Sequence, residues 1–447
     1  MGYRATWHAT DQVPRRAVER GTIGRFGTLD STNGGETERY SASVELQRTE
    51  NNASTRLVGY GIASELDLFS NFTFLLDDPE QGDQFRQTDS RLVAGAKATH
   101  RRIQRWGTLP VQNTVGVQVR HDNIRDVGLY RTVRRRPLET IRTDRIQQTS
   151  GALFAQNEPQ WTTWLRTSAG LRFDGYRFDV NAGVREDAGL EHAGRLSPKA
   201  GAVFGPWART EFYVNAGYGF HSNDARGAIA RTAADENERT AVTPLAQVRG
   251  AEVGLRSIFI PGVQTTLTLW TLELESALVF VGDAGTTEAS RGSRRSGLEW
   301  STYYSPTAWL TLDADVSVST ARFVDADSSG RFVPGAVGTV VTAGATVDGA
   351  SRLIGSARWR YFGPRPLIED NSARSVATSL LNLEAGFRFS QTVRLALDVF
   401  NSLDAKGSDV DYFYSSRLAG EPAGGVEDIH FHPTLPRTAR LNLIIGF

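Results

Sequence analysis

Cysteine is absent from the 447 residues, which removes thiolate metal sites, thiol catalysis and disulfides together. Also missing is any apolar run near the ~18 residues of a membrane helix, so helical spans are excluded. A mean hydropathy of −0.33 with 40% hydrophobic residues leaves room for a membrane barrel, in which only alternate residues meet lipid. There is no excess of either charge, with 50 basic residues against 50 acidic, and so no case for a nucleic-acid partner. Lysine is scarce: Lys97, Lys199 and Lys406 leave arginine to carry nearly all the positive charge. No Pro/Ser-rich linker divides the chain, which reads as one architecture over 1–447. The start, Met1-Gly-Tyr-Arg-Ala-Thr-Trp7, lacks the basic and apolar regions of a signal peptide. No Gly-x-Ser-x-Gly elbow, phosphate-binding glycine loop or His-Glu-x-x-His helix is found, so neither enzyme nor cofactor is expected.

What the chain does have is alternation. At its end Ala439, Leu441, Leu443, Ile445 and Phe447 form an apolar face against Thr438, Arg440, Asn442, Ile444 and Gly446, as on a two-faced strand. Leu310, Leu312, Ala314, Val316 and Val318 repeat the pattern, as do Val393, Leu395, Leu397 and Val399. Short turns near 51–52, 106–107, 157–159, 205–207, 261–262, 305–307, 348–349 and 390–391 alternate with long loops near 10–39, 125–139, 174–195, 222–246, 281–292, 324–336, 363–375 and 403–435. That segregation, with Trp161, Trp164, Trp207, Trp300, Tyr303, Tyr304 and Trp309 near strand ends, predicts an all-β transmembrane antiparallel barrel of about 18 strands. Arg394 and Asp398 must then face a wet lumen, because a charge facing lipid at mid-membrane costs ~2–4 kcal/mol. The parity change between Leu269 and Trp270 suggests a bulge in 263–280. A soluble propeller is the alternative, and no blade-length repeat supports it.

Six stretches, taken in order, resemble the barrel domain of TonB-dependent outer-membrane receptors: Leu196-Ser-Pro-Lys-Ala-Gly201, Gly219-Phe-His-Ser-Asn-Asp-Ala-Arg-Gly227, Arg249-Gly-Ala-Glu-Val-Gly-Leu255, Arg295-Ser-Gly-Leu-Glu-Trp300, Leu397-Asp-Val-Phe-Asn-Ser-Leu-Asp404 and Pro436-Arg-Thr-Ala-Arg440 through Phe447. The resemblance implies a 22-strand barrel of which this chain holds the C-terminal portion, without plug domain or TonB box. It implies energised uptake of a scarce nutrient, such as a metal-siderophore, vitamin or oligosaccharide, with TonB acting only through a plug not present here. Phe447 would be the signal to the barrel-assembly machinery, and outer-membrane lipid and lipopolysaccharide would surround the wall. A plugless passive pore and a non-functional truncated fragment are the alternatives, and on this reading Met1 is an internal start.

Four residues stand out as candidate ligand contacts. His221, by its parity with Glu211, Tyr213, Asn215 and Gly217, should face the lumen near the outside, with Asp224 close by; a hydrogen-bonded rim residue is the plainer alternative. His430 and His432, two apart in an extended segment, share a face and could hold a divalent ion beside Glu427 and Asp428, or serve a structural role where the last loop meets the last strand. Asp325-Ala-Asp-Ser-Ser-Gly330 starts like a calcium loop, but Ala336 stands where the bidentate Glu belongs. Arg131 and Arg134-Arg-Arg136 could meet lipopolysaccharide phosphates or an anionic ligand from an external loop.

Overall fold

The computed structural model describes residues 1–9, 12–183, 187–229, 242–281, 286–349 and 352–446; Phe447 lies outside them. One antiparallel sheet of nineteen strands dominates, one of which is the three-residue branch Gly330–Phe332. The others form the wall: β1 Gly2–His8, β2 Gly34–Glu50, β3 Ala53–Ser70, β4 Phe85–Trp106, β5 Leu109–Val133, β6 Arg136–Pro159, β7 Leu165–Ala182, β8 Gly189–Trp207 and β9 Thr210–Ser222. They continue as β10 Leu245–Ser257, β11 Val263–Leu274, β12 Ser293–Thr307, β13 Leu310–Asp327, β14 Thr339–Val347, β15 Leu353–Phe362, β16 Thr378–Arg388, β17 Val393–Phe400 and β18 Thr438–Ile445. Each strand is registered against its neighbour in chain order, and among the described residues the registers end with β1 on one flank and β18 on the other.

Alternation sorts the two faces of this wall. On β5, Val115, Val117 and Val119 are exposed, and Leu153, Leu171 and Phe173 continue the same face on β6 and β7. An exposed apolar belt on this scale is stable only against lipid. The opposite face carries Arg120 paired with Asp122 and Arg172 paired with Asp174, both bidentate. These charges satisfy each other in the lumen. At the short-turn end Trp164 stacks 6.1 Å from Trp207, in the place of an aromatic girdle.

Three expectations need correction. The 125–139 region is not a loop: β5 and β6 run through it to a tight turn at Arg134 and Arg135, with φ of 49° and 65°. Two consecutive left-handed residues make the turn whose twist matches that of a hairpin. Likewise, the loop expected over 174–195 shrinks, because β7 reaches Ala182 and β8 starts at Gly189. The bulge expected in 263–280 is absent from β11, whose register to β10 and β12 is unbroken from Leu274 back to Thr265. Leu267 and Leu269 face outward while Trp270 and Leu272 line a cavity with Glu252; the strand is simply apolar on both sides.

Candidate functional site

Among the described residues, the long-loop end of the wall is built up by two short helices and two small sheets, one of them the antiparallel pair Ala277–Val281 and Thr286–Ser290. Helix α2, Ala225–Ile229, buries Ala225 and Ile229 against Ile146, Phe178, Val180 and Leu245, so the segment after β9 is folded onto the wall. Asp224 receives the backbone N–H of Arg226 at 2.8 Å and its guanidinium at 3.0 and 2.8 Å. Burial pushes the Asp224 pKa up, but Arg226 and the Arg142 charge outweigh it and hold the carboxylate below its usual range. Asp224 is thus a structural anion.

The outer end of β9 packs against the α2 cluster through Phe220. Phe220 shares parity with the outward Phe212 and Val214, yet its ring meets Tyr176 edge-on at 5.8 Å and packs against the α2 cluster. The β8–β9 register stops at Lys199 and Gly217, while β9 stays in register with β10 through Ser222. His221, in register with Ala246, is exposed.

At the other side of the rim, Val13–Pro14, Ser408–Ser416 and Val426–Pro433 form a three-stranded sheet capped by α1, Arg15–Glu19. Arg16 donates from Nε and Nη2 to Glu421 at 2.9 and 2.8 Å, from Nη1 to Asp428 at 3.3 Å, and from Nη2 to the Ser416 carbonyl at 2.9 Å. The Arg16 guanidinium holds the Glu421 carboxyl at about 2. His430 is fully buried: its ring stacks on Tyr414 at 3.8 Å, Nδ1 lies 3.0 Å from the Asp428 carbonyl and Nε2 lies 2.7 Å from Ser416 Oγ. The carbonyl can only accept, so Nδ1 carries the proton and Nε2 accepts from the hydroxyl. Burial lowers the His430 pKa to about 4 and keeps the ring neutral. Both ring nitrogens are therefore used, and Ser416, also fully buried, has no access to a substrate despite its serine–histidine geometry.

His432 stays exposed, 3.6 Å from Asp409. The two imidazoles do not share an ion site, and among the described residues no group of three or more His, Cys, Asp or Glu could hold a metal. Asp325 lies in β13 rather than in a loop, while the side chain of Asp327 is outside the described residues. The arginine run divides: Arg131 pairs with Asp78 at 3.2 Å, and Arg135 donates to the Thr32 carbonyl at 2.6 Å and lies over the Phe69 ring. Arg134 and Arg136 instead join Arg20, Glu80 and Asp30 around a cavity of about 940 Å³ between the loops. A second cavity, about 550 Å³, sits on the inner face of the wall, lined by Lys199, Asn215, Glu252, Trp270 and Glu299 above Gly217 and Gly250. Sequence reasoning missed it. Its signal was a rare lysine next to strands carrying glycine on the inward parity.

Over residues 2–402 the chain matches the family profile described as TonB dependent receptor-like, beta-barrel. The chain belongs to the TonB-dependent receptor β-barrel family. Among solved structures, the unliganded ferric citrate transporter FecA superposes with a TM-score of 0.77 at 14% identity, covering 100% of this chain and 66% of that one. The closed ferric-catecholate import receptor Fiu of E. coli K12 gives 0.73 at 13%, covering 99% and 71%. The pyoverdine receptor FpvA of Pseudomonas aeruginosa PAO1, bound to pyoverdine, gives 0.72 at 12%, covering 93% and 62%. At such identities the likeness concerns the fold. This receptor barrel thus spans about two thirds of the FecA and FpvA chains it resembles. No curated protein matches its sequence. The TonB-dependent receptor barrel is an outer-membrane protein, which orients the long loops and both short helices outward and the short turns toward the periplasm.

Proposed function

We propose that this receptor barrel selects and admits a scarce nutrient, with TonB supplying the energy, and that the nutrient is an anionic metal chelate rather than a vitamin or oligosaccharide. The observation that carries the reading is the loop cavity of about 940 Å³ above a polar lumen, where Arg20, Arg134 and Arg136 outnumber Asp30 and Glu80 among the lining residues. Guanidinium groups suit the planar carboxylates and phenolates that wrap metal ions. The similar structures include a ferric citrate transporter, a pyoverdine receptor and a copper transporter, which supports the metal. Transport, not catalysis, is the role.

The test is uptake of radiolabelled ferric chelates by cells carrying the native receptor, with and without a protonophore. Uptake that stops with the protonophore, and an Arg134→Glu/Arg136→Glu variant that binds the chelate about tenfold more weakly, are expected. Steady conductance of the native protein in planar bilayers, with uptake indifferent to the protonophore, would instead establish a passive pore.

A further inference from the structure

The outer face of the wall holds a polar concavity above the lipid belt. On β5 to β7 the belt ends with Val119, Gly151 and Gly175, which are in register. The next outward row is His121, Thr149 and Arg177, followed by Asn123, Gln147 and Asp179, and then by Arg145 and Asn181. Two residues advance a tilted strand by ~5 Å along the membrane normal, so these rows stand ~5–15 Å above the hydrocarbon, at headgroup level.

Here the β5–β6 ladder breaks. Its register jumps between Ile124 and Val127, and at the interruption lies a cavity of about 550 Å³ whose polar lining is Asn123, Arg125, Arg145, Gln147, Asp179 and Asn181, with Ile124 and Ile146 completing it. A bulge re-aims side chains and frees backbone groups. Arg125 is held in the dent by Ser90 at 3.2 Å, with Glu65 at 4.0 Å, and Asp179 is neutralised by Arg177 at 3.0 Å. Arg145 makes no hydrogen bond or ion pair among the described residues, and neither do the side-chain amides of Asn123, Gln147 and Asn181. Four unengaged polar side chains thus converge on one dent, and the one charge among them is positive.

From this geometry we infer that the β5–β7 dent binds the phosphorylated sugar headgroup of an outer-leaflet lipid, with Arg145 and Arg125 on phosphate and Asn123, Gln147 and Asn181 on hydroxyls. Arginine matches phosphate bidentately, and the apolar belt directly below receives the acyl chains. A soluble anion has no use for that belt, which favours the lipid over free phosphate. The inference is independent of the transported nutrient.

Native mass spectrometry of the detergent-purified receptor, with diphosphorylated lipid A added, tests it. The unaltered protein should retain one lipid adduct, and retention should fall about tenfold in Arg125→Gln/Arg145→Gln but not in Arg134→Gln at the loop cavity. Heat-modifiable gel mobility verifies that each variant is folded. Should the double variant not fold, the salt response of the unaltered protein decides: retention must weaken between low and high ionic strength. Equal retention by folded variants, or a salt-independent adduct, overturns the inference. So does displacement of the lipid by millimolar inorganic phosphate, which would mark a site for the free anion.

Discussion

Arg16 and Glu421, 405 residues apart in the chain, meet in a bidentate ion pair at 2.9 and 2.8 Å. Arg16 belongs to the loop after β1 and Glu421 to the loop before β18, so the pair clasps the two flanks of the wall above the membrane. Both side chains are almost wholly buried, which separates this pair from the many exposed ones on the surface.

Breaking the clasp leaves a buried carboxylate. Arg16→Met should destabilise the loop sheet by about 3 kcal/mol, the low end for an orphaned buried charge because Arg20 still reaches Glu421 at 2.7 Å. Hydrogen exchange of Val426–Pro433 should accelerate while the wall strands stay protected. Unchanged exchange in that strand would refute the clasp.

Acid should open the same clasp in two stages. Burial lowers the His430 pKa from 6.5 to about 4, so the unfolded sheet takes up a proton that the folded one refuses; stability is complete above about 6.5 and falls as pH drops toward 4. Glu421, lowered from 4.5 to about 2 by Arg16, contributes stability above 4.5 that is lost as pH falls through 2. His430→Gln should therefore flatten the pH dependence of exchange between 6.5 and 4. A variant as pH-sensitive as the parent would mean that another group governs the opening.

Depth in the membrane can be read by substitution. Val117→Arg, in the middle of the outward belt, should cost ~2–4 kcal/mol of unfolding free energy in lipid, whereas Asn123→Arg, above it, should cost ~0–1. Urea titration of the receptor in bilayers measures both. Equal costs would show that the belt has been placed wrongly.

Gly254 lies against Tyr213, and a Cβ there would sit 2.5 Å from both the Tyr213 hydroxyl and the Leu267 carbonyl. Gly254→Ala should cost about 1–3 kcal/mol, since backbone cannot yield as a side chain can. At Gly219 nothing lies within 4 Å of the added methyl, and Gly219→Ala should stay within about 0.5 kcal/mol of the parent. Thermal unfolding of the two variants side by side tests the contrast.

Legibility followed the range of the forces involved. Strand alternation is a local response to a boundary between lipid and water, so the belt through Val117 and Leu153 and the turns at Asn51 and Gly107 were readable in the sequence. The loop tips were harder. Arg134 and Arg135 bear no turn signature such as Asn-Gly, and their left-handed conformations were hidden inside a run of charges. His430 and His432 satisfied a spacing rule that says nothing of burial; Tyr414 and Arg16, remote in sequence, decided that one imidazole would be enclosed and the other left open.

By itself, the sequence determined an antiparallel transmembrane wall of about eighteen strands, its inner and outer faces and its outward end, because each depends on residues two apart along a strand. Tertiary structure alone decided that Phe220 leaves its parity, that Arg16 finds Glu421, and that Lys199 shares a cavity with Glu252 and Trp270. These contacts join distant strands and loops through packing and charge, and no periodicity in the chain encodes which partners meet.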